Sequence, residues 1–444
     1  MESPVAGSFM TTTAKAARGA MSPLERAQAI LGGSAGNLVE WYDWFAYAAF
    51  SLYFAKAFFP NGDQTSQLLQ NAAVFAVGFL ARPLGAWIFG LYADRAGRKA
   101  ALTLSVALMC LGSLIVALVP GYDRIGVAAP AILTLARLLQ GLSVGGEYGA
   151  SATYMSEVAG KHRRGFWSSF QFVTLIGGQL SALAVLIVLQ RLLTPAQLDA
   201  WGWRIPFAIG AALAVVVFAI QMGLEESAAF EAVKHRALPR STTFDLIRRH
   251  PRETAVIVVL SSGGSLAFYC YTTYMQKYLT NSGHFSRDVA TLVTAASLVI
   301  YLLIQPLMGW LGDLIGRTRL MALGFALGAL TVWPIMTAIA ATRDPAVALG
   351  LICLALVFLT GYTAVNAVVK AELFPAPVRA LGVALPYALA NAIFGGTAEY
   401  VALDFKKAHH ESGFFIYVAI VMAVAAVTAV FMGDPRALGL IEED

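Results

Sequence analysis

GFLARPLGAWIFGLYADRAGRK, residues 78–99, joins an apolar stretch with one cation inside it to a charged turn at its end. If the stretch is helical, Arg82 stands roughly 18 Å from Asp94 along the axis, near the middle of a membrane span. A bare cation at that depth costs about 2.5–3.5 kcal/mol on insertion scales, so Arg82 is expected to face a polar cavity or a partner rather than lipid. A second copy of the turn, GWLGDLIGRTRL, starts at Gly309 and repeats the order Gly, Asp, Gly, Arg. Asp94 and Asp313, Gly97 and Gly316, and Arg98 and Arg317 are each 219 residues apart, so one half of the chain echoes the other.

Around that stretch the chain is too apolar for a soluble surface: 58% of its 444 residues are hydrophobic, 13% are charged, and the mean hydropathy is +0.68. Apolar runs of helix-compatible length fall near 29–54, 67–91, 101–119, 127–152, 166–190, 203–223, 255–279, 289–311, 320–341, 346–369, 378–402 and 413–432. Each is long enough for about 30 Å of hydrocarbon. The runs are continuous rather than alternating, which argues against a β-barrel. The expected fold is an all-α membrane protein with twelve transmembrane helices in two pseudo-symmetric six-helix bundles.

The division expected is a tail at 1–27, a bundle at 28–223, a basic linker at 224–252, a second bundle at 253–432 and a tail at 433–444. With both termini cytoplasmic, 19 of the 31 Lys and Arg fall inside and nine outside, the bias that sets membrane orientation. The net charge of +5 is therefore a topology signal, and no nucleic-acid partner is expected. Further echoes support two similar halves: Glu157 precedes Arg164, and Glu372 precedes Arg379, by the same seven residues. TLIGGQ at 174–179 loosely matches AIFGGT at 392–397.

The charged turn at Gly90 to Lys99, its copy at Gly309 to Arg317, and RLLQGLSVGGE from Arg137 to Glu147 resemble the motifs of the major facilitator superfamily. The first departs from the pattern at Tyr92, where a leucine is usual. GNLVEWYDWFAY at 36–47, GGEYGASATYMSE at 145–157, WGWRIPF at 201–207 and AELFPAPVRALGV at 371–383 are similar to the metabolite:proton symporter family, over about residues 30–405. Within it, SATYMSEVA, QFVTLIGGQL, YTTYMQKYL and ANAIFGGTAEYVAL look closest to its dicarboxylate importers. The resemblance implies alternating access in a cell inner membrane and import of a dicarboxylate such as 2-oxoglutarate with protons. Citrate, shikimate, or proline and betaine are the alternative solutes. It also implies a cytoplasmic latch of Asp94, Arg98, Glu157 and Arg164 in one half, and of Asp313, Arg317, Glu372 and Arg379 in the other.

The residues themselves supply the charges such a carrier needs. Glu40 and Asp43, roughly 18 and 22 Å into the first span, stand three apart on one helical face. Low dielectric favours the neutral form of a carboxylate and a nearby arginine the charged form. Glu40, Asp43 and Glu147 are accordingly the candidate proton sites, with Asp43 first; the competing reading is an acid locked to Arg82 or Arg137. Arg82 and Arg137 suit the substrate carboxylates because a guanidinium offers paired, planar donors. The second half offers neutral groups, Tyr271, Tyr274, Gln305, Asn366 and Asn391, for the rest of a short diacid or for contacts between helices. Lys370, close to the inner end of the tenth span, offers a contact to the solute on exit but is expected to snorkel to the interface, and Pro83 and Pro306 to kink their helices near the cavity.

All six histidines fall in connections, and Cys110, Cys270 and Cys353 stand apart without CxxC pairing. No nucleophile set, metal-ligand cluster or GxxxxGK[ST] loop is visible, so neither an enzyme nor an ATP-driven pump is indicated and no cofactor is expected. The partners expected are the solute, protons and the bilayer, with the chain acting as a monomer.

Overall fold

The computed structural model describes residues 23–96, 98–144, 163–222, 246 and 248–438. Among them nine helices are long and apolar enough to cross a membrane, two more at Thr103–Leu118 and Ala128–Val144 are shorter and apolar, and Pro23–Phe58 brings the set to twelve. The first six are α1 (Pro23–Phe58), α2 (Gln64–Ala96), α3 (Arg98–Leu118), α4 (Ala128–Val144), α5 (Arg164–Leu192) and α6 (Ile205–Met222). The second six are α7 (Pro251–Tyr271, resumed at Met275–Asn281), α8 (Arg287–Ile315), α9 (Arg317–Ala341), α10 (Pro345–Glu372), α11 (Ala376–Ala390, resumed at Ala398–Lys407) and α12 (Glu411–Phe431). Among the described residues Thr194, Ser286 and Asp344 cap helix starts with their side chains. Thr194 and Gln197, for example, form a reciprocal capping box before a helical turn at Pro195–Ala200.

The neighbour pattern of the first six helices recurs in the second six. In the first, α1 packs on α5 and α6, α2 on α4, and α3 on α4 and α6; in the second, α7 packs on α11 and α12, α8 on α10, and α9 on α10 and α12. Adding six to each helix number converts one set into the other, and it also exchanges the two seams between halves, α2 with α11 and α5 with α8. The 219-residue echo in the sequence is thus a two-fold relation in space. The α2–α3 and α8–α9 turns share one face of the molecule, called here the turn face; the opposite face is the far face.

Exposure is inverted relative to a soluble protein. Leu84, Trp87, Leu118, Leu192, Leu303, Leu307, Leu314, Leu330 and Phe431 point outward, while Glu40, Asp43, Arg82, Arg137, Lys277, Lys370 and Glu399 are buried. Between helices in lipid, close packing and internal polar contacts replace the hydrophobic drive.

Among the described residues the backbone is interrupted mainly in the second half; in the first, α5 turns at Ser169. α7 breaks at Thr272–Tyr274, α10 at Ala364–Val365, and α11 passes through a π-turn at Asn391–Gly395. At the first break Tyr274 N–H reaches back to the Tyr269 carbonyl at 2.8 Å, and at the third Gly396 N–H reaches Asn391 at 2.8 Å. α2 and α8 stay helical through Pro83 and Pro306. The breaks themselves fall at non-proline residues, where neighbouring helices cover the freed backbone groups.

Candidate functional site

Two buried arginines share one ring. Trp44 on α1 carries the guanidinium of Arg82 (α2) at 3.9 Å and that of Arg137 (α4) at 4.0 Å. Phe79 and Trp41 complete the setting of Arg82, at 4.1 and 5.2 Å; Tyr47 and Phe75 complete that of Arg137, at 4.4 and 5.5 Å. α2 and α4 can lie this close because Gly78 has no side chain: a Cβ there would stand 3.2 Å from the Arg137 carbonyl oxygen. Aromatic faces attract cations but accept few N–H groups. Nε and Nη2 of both arginines find no acceptor among the described residues. The site therefore presents planar donors in low dielectric, the arrangement that binds carboxylates.

The acids lie close by, and a glutamine stands between Asp43 and its arginine. Asp43 accepts a hydrogen bond from Ser113 Oγ on α3 and another from Gln140 Nε2 on α4, each 2.5 Å. Gln140 turns its other end to Arg137, whose Nη1 donates to Oε1 at 2.7 Å. One glutamine thus stands between the cation and the carboxylate, and Asp43 faces the interior of the first half. Glu40 lies in electrostatic reach of Arg82. The three-residue spacing therefore hands the two acids to different arginines. Glu147 lies outside the described residues.

From the second half, Tyr269 on α7 comes within electrostatic reach of Arg82 and so links the halves. Its ring stands edge-on to Phe79 at 5.2 Å. Phe268 meets Phe45 and Phe172 at 6.4 and 5.7 Å, which continues an aromatic seam at mid-depth. Two small cavities lie along the seam, each about 10 Å³, room for a single water molecule. Phe172, Ser265, Tyr269, Tyr362, Tyr387 and Asn391 line the first; Gln179, Thr272, Thr273, Gln276 and Thr294 line the second, nearer the far face.

Of the neutral candidates, Asn391 is at the first cavity. Gln305 instead bonds Thr363 at 2.9 Å, a hydroxyl that also receives Tyr301 at 2.9 Å, and Asn366 donates to the Thr363 carbonyl at 2.7 Å. Tyr274 reaches Glu411 at 3.4 Å and its ring packs on Phe414, so it faces α12. The buried Tyr271 hydroxyl has no partner among the described residues and lines neither cavity.

Sequence reasoning passed over Tyr269, Tyr362, Tyr387, Ser113 and Gln140. Lys370 proves to be buried, with Nζ 4.2 Å from the Tyr387 ring and 5.5 Å from the Tyr362 ring, not extended to an interface. Lys277, read as lying outside, is buried and paired with Glu399 at 2.7 Å. Glu399, inside the span read at 378–402, was a legible charge that the motif reading overlooked.

Among the described residues, contacts join the halves at both ends of the seam. On the turn face Asp313 accepts Arg317 at 2.7 Å and the Gly165 and Phe166 amides of α5 at 2.9 and 3.1 Å, and Arg317 also pairs with Glu372. Gly165 meets Gly309 so closely that a Cβ on Gly165 would stand 2.6 Å from the Gly309 oxygen. Arg164 is in electrostatic reach of Glu372, and Arg379 donates to the Phe374 carbonyl at 3.2 Å. Glu157 and the side chains of Asp94 and Arg98 lie outside what the structure describes. On the far face Gln190 joins Tyr53 at 2.8 Å and Thr291 at 3.2 Å, and Arg287 pairs with Asp199 at 2.8 Å.

Comparison with known proteins supplies the family. The model described as "Sugar (and other) transporter" matches residues 29–249 and 241–440. The alpha-ketoglutarate permease of Escherichia coli (strain K12) is 50% identical over 422 residues, 95% of this chain and 97% of the relative. The citrate-proton symporter of Salmonella typhi is 34% identical, over 91% and 94% of the two chains. A crystal structure of a D-xylose-proton symporter superposes with a TM-score of 0.71 at 20% identity, covering 91% of this chain and 97% of that one; this likeness speaks for the fold alone.

Proposed function

The chain belongs to the sugar (and other) transporter family of the major facilitator superfamily, and from that premise we propose that it is a proton-coupled symporter importing 2-oxoglutarate by alternating access. The observation that carries the solute class is the pair of buried arginines with N–H groups that find no acceptor among the described residues, set at the seam between the halves. Arg82 takes one carboxylate, assisted by Tyr269 and Asn391. Arg137 adds positive potential from behind Trp44.

Asp43 and Glu40 are assigned the protons, each beside a guanidinium whose charge is redistributed when an anion arrives. Charge sets a minimum stoichiometry: a dianion entering an inside-negative cell works against about 2.3 kcal/mol per charge per 100 mV, which two protons cancel. The turn face is assigned to the cytoplasm of a cell inner membrane, from the concentration of Lys and Arg there, and the chain to a monomer. Asp313, Arg317 and Glu372 act as the cytoplasmic latch, holding α8 to the start of α5 while the carrier is closed on that side.

Counterflow in proteoliposomes tests the reading. Labelled 2-oxoglutarate is expected to exchange against unlabelled 2-oxoglutarate and to accumulate when a proton gradient is imposed. Exchange with citrate, shikimate or betaine but not with 2-oxoglutarate would move the assignment to another solute of the family.

A further inference from the structure

We propose that Tyr362 is a specificity-determining residue that reads the oxygen on C2 of the solute, with Asn391 as its second contact. The inference rests on the dicarboxylate reading above and adds the group that sets a 2-oxo diacid apart from a plain one.

Three observations carry it. Tyr362 on α10 and Asn391 on the π-turn of α11 both line the first cavity and are 2% and 1% exposed. The Tyr362 hydroxyl and Asn391 Oδ1 find no hydrogen-bond partner among the described residues. Ser261 Oγ lies close to the Tyr362 hydroxyl and is itself unpartnered; the two groups carry two O–H donors, so a contact between them still leaves one over. Last, bare backbone positions fix where both polar ends stand. A Cβ on Gly264 of α7 would run into the Tyr362 ring, on which Phe325 packs at 5.0 Å, and a Cβ on Gly395 would run into Asn391 Oδ1.

The chemistry follows from what the cavity offers. A buried polar group left without a partner costs about 1–3 kcal/mol, a cost that a ligand oxygen relieves. At about 10 Å³ the cavity admits one oxygen-sized group. No charged side chain lines it among the described residues, so it suits a neutral oxygen rather than a carboxylate. Tyr269 lines the same cavity and stands in electrostatic reach of Arg82. An oxygen held here therefore belongs to the carbon next to the carboxylate on Arg82, which in 2-oxoglutarate is C2. Tyr362 donates its O–H to that oxo group, and Asn391, after half a turn of its carboxamide, adds an N–H. A diacid without the oxygen leaves both groups unmet.

The test uses the purified full chain in detergent, with affinity read from the rise in unfolding temperature across a titration of 2-oxoglutarate or of glutarate. The two acids differ only in the oxygen on C2. Wild type is expected to bind 2-oxoglutarate roughly 10-fold or more tightly than glutarate. Tyr362→Phe keeps the ring and loses the hydroxyl: affinity for 2-oxoglutarate falls about 3- to 10-fold, while that for glutarate holds, so the preference narrows. An undiminished preference in Tyr362→Phe overturns the inference. Should that variant not fold, Asn391→Leu replaces it, with the same narrowing expected and the same overturning result. Wild type that binds neither acid overturns the dicarboxylate reading itself, whereas wild type that binds both alike overturns this inference alone.

Discussion

Arg82 and Asp43 carry the sharpest expectations. Arg82→Gln keeps the stem but removes the charge and the fork, and uptake of 2-oxoglutarate is expected to fall at least 100-fold, about 2.7 kcal/mol or more. Arg82→Lys, a point charge without paired planar donors, recovers only part of it; full uptake by the glutamine variant would remove Arg82 from the site. Asp43→Asn keeps the size but no longer alternates between charged and neutral. Counterflow is expected to continue while proton-driven accumulation is lost, and undiminished uphill uptake would take Asp43 out of coupling. Both residues were legible in the sequence because charges in apolar runs have few innocent explanations. Tyr269 was not, because tyrosine is amphipathic and unremarkable in a span. Tyr269 and Tyr271 lie roughly 200° apart around a helix. Without the rotation of α7 nothing says which ring meets the cavity, and the sequence reading chose Tyr271.

Among the elements, the α5–α8 seam depends on two glycines in contact across halves. Gly309→Val puts a branched side chain against the Gly165 backbone, and the turn face is expected to open. In a Ser169→Cys background, labelling by a thiol reagent from that face should rise several-fold; unchanged labelling would mean that the seam tolerates the added volume. The buried Lys277–Glu399 pair ties the lower part of α7 to α11. Lys277→Met strands the carboxylate and is expected to cost about 3–5 kcal/mol, while Lys277→Met with Glu399→Gln recovers most of it. Thermal unfolding in detergent measures both, and equal losses in the single and double variants would contradict the account. Helix count and approximate ends were legible because twenty apolar residues declare a span. The breaks in α7, α10 and α11 were not, because no proline marks them; they exist only where neighbouring helices cover the freed backbone groups.

For the whole molecule, the repeated turn predicted the two-fold relation and the structure realises it pair by pair, since repetition of a sequence at one offset repeats its packing. Coupling is a property of that whole. Uptake driven by a pH gradient in proteoliposomes is expected to carry no net charge with two protons, or net positive charge inward with three. A net inward movement of negative charge would exclude both. The halves divide the labour unevenly: the first holds two arginines and two acids, and the second holds the breaks in α7, α10 and α11, so the second is the half expected to flex. The two seams bear on one further point. α2 packs against α11 and α5 against α8 along the molecule's flanks. Cargo must then arrive by water along the central axis, and a dialkyl ester of 2-oxoglutarate dissolved among the acyl chains finds no sideways door.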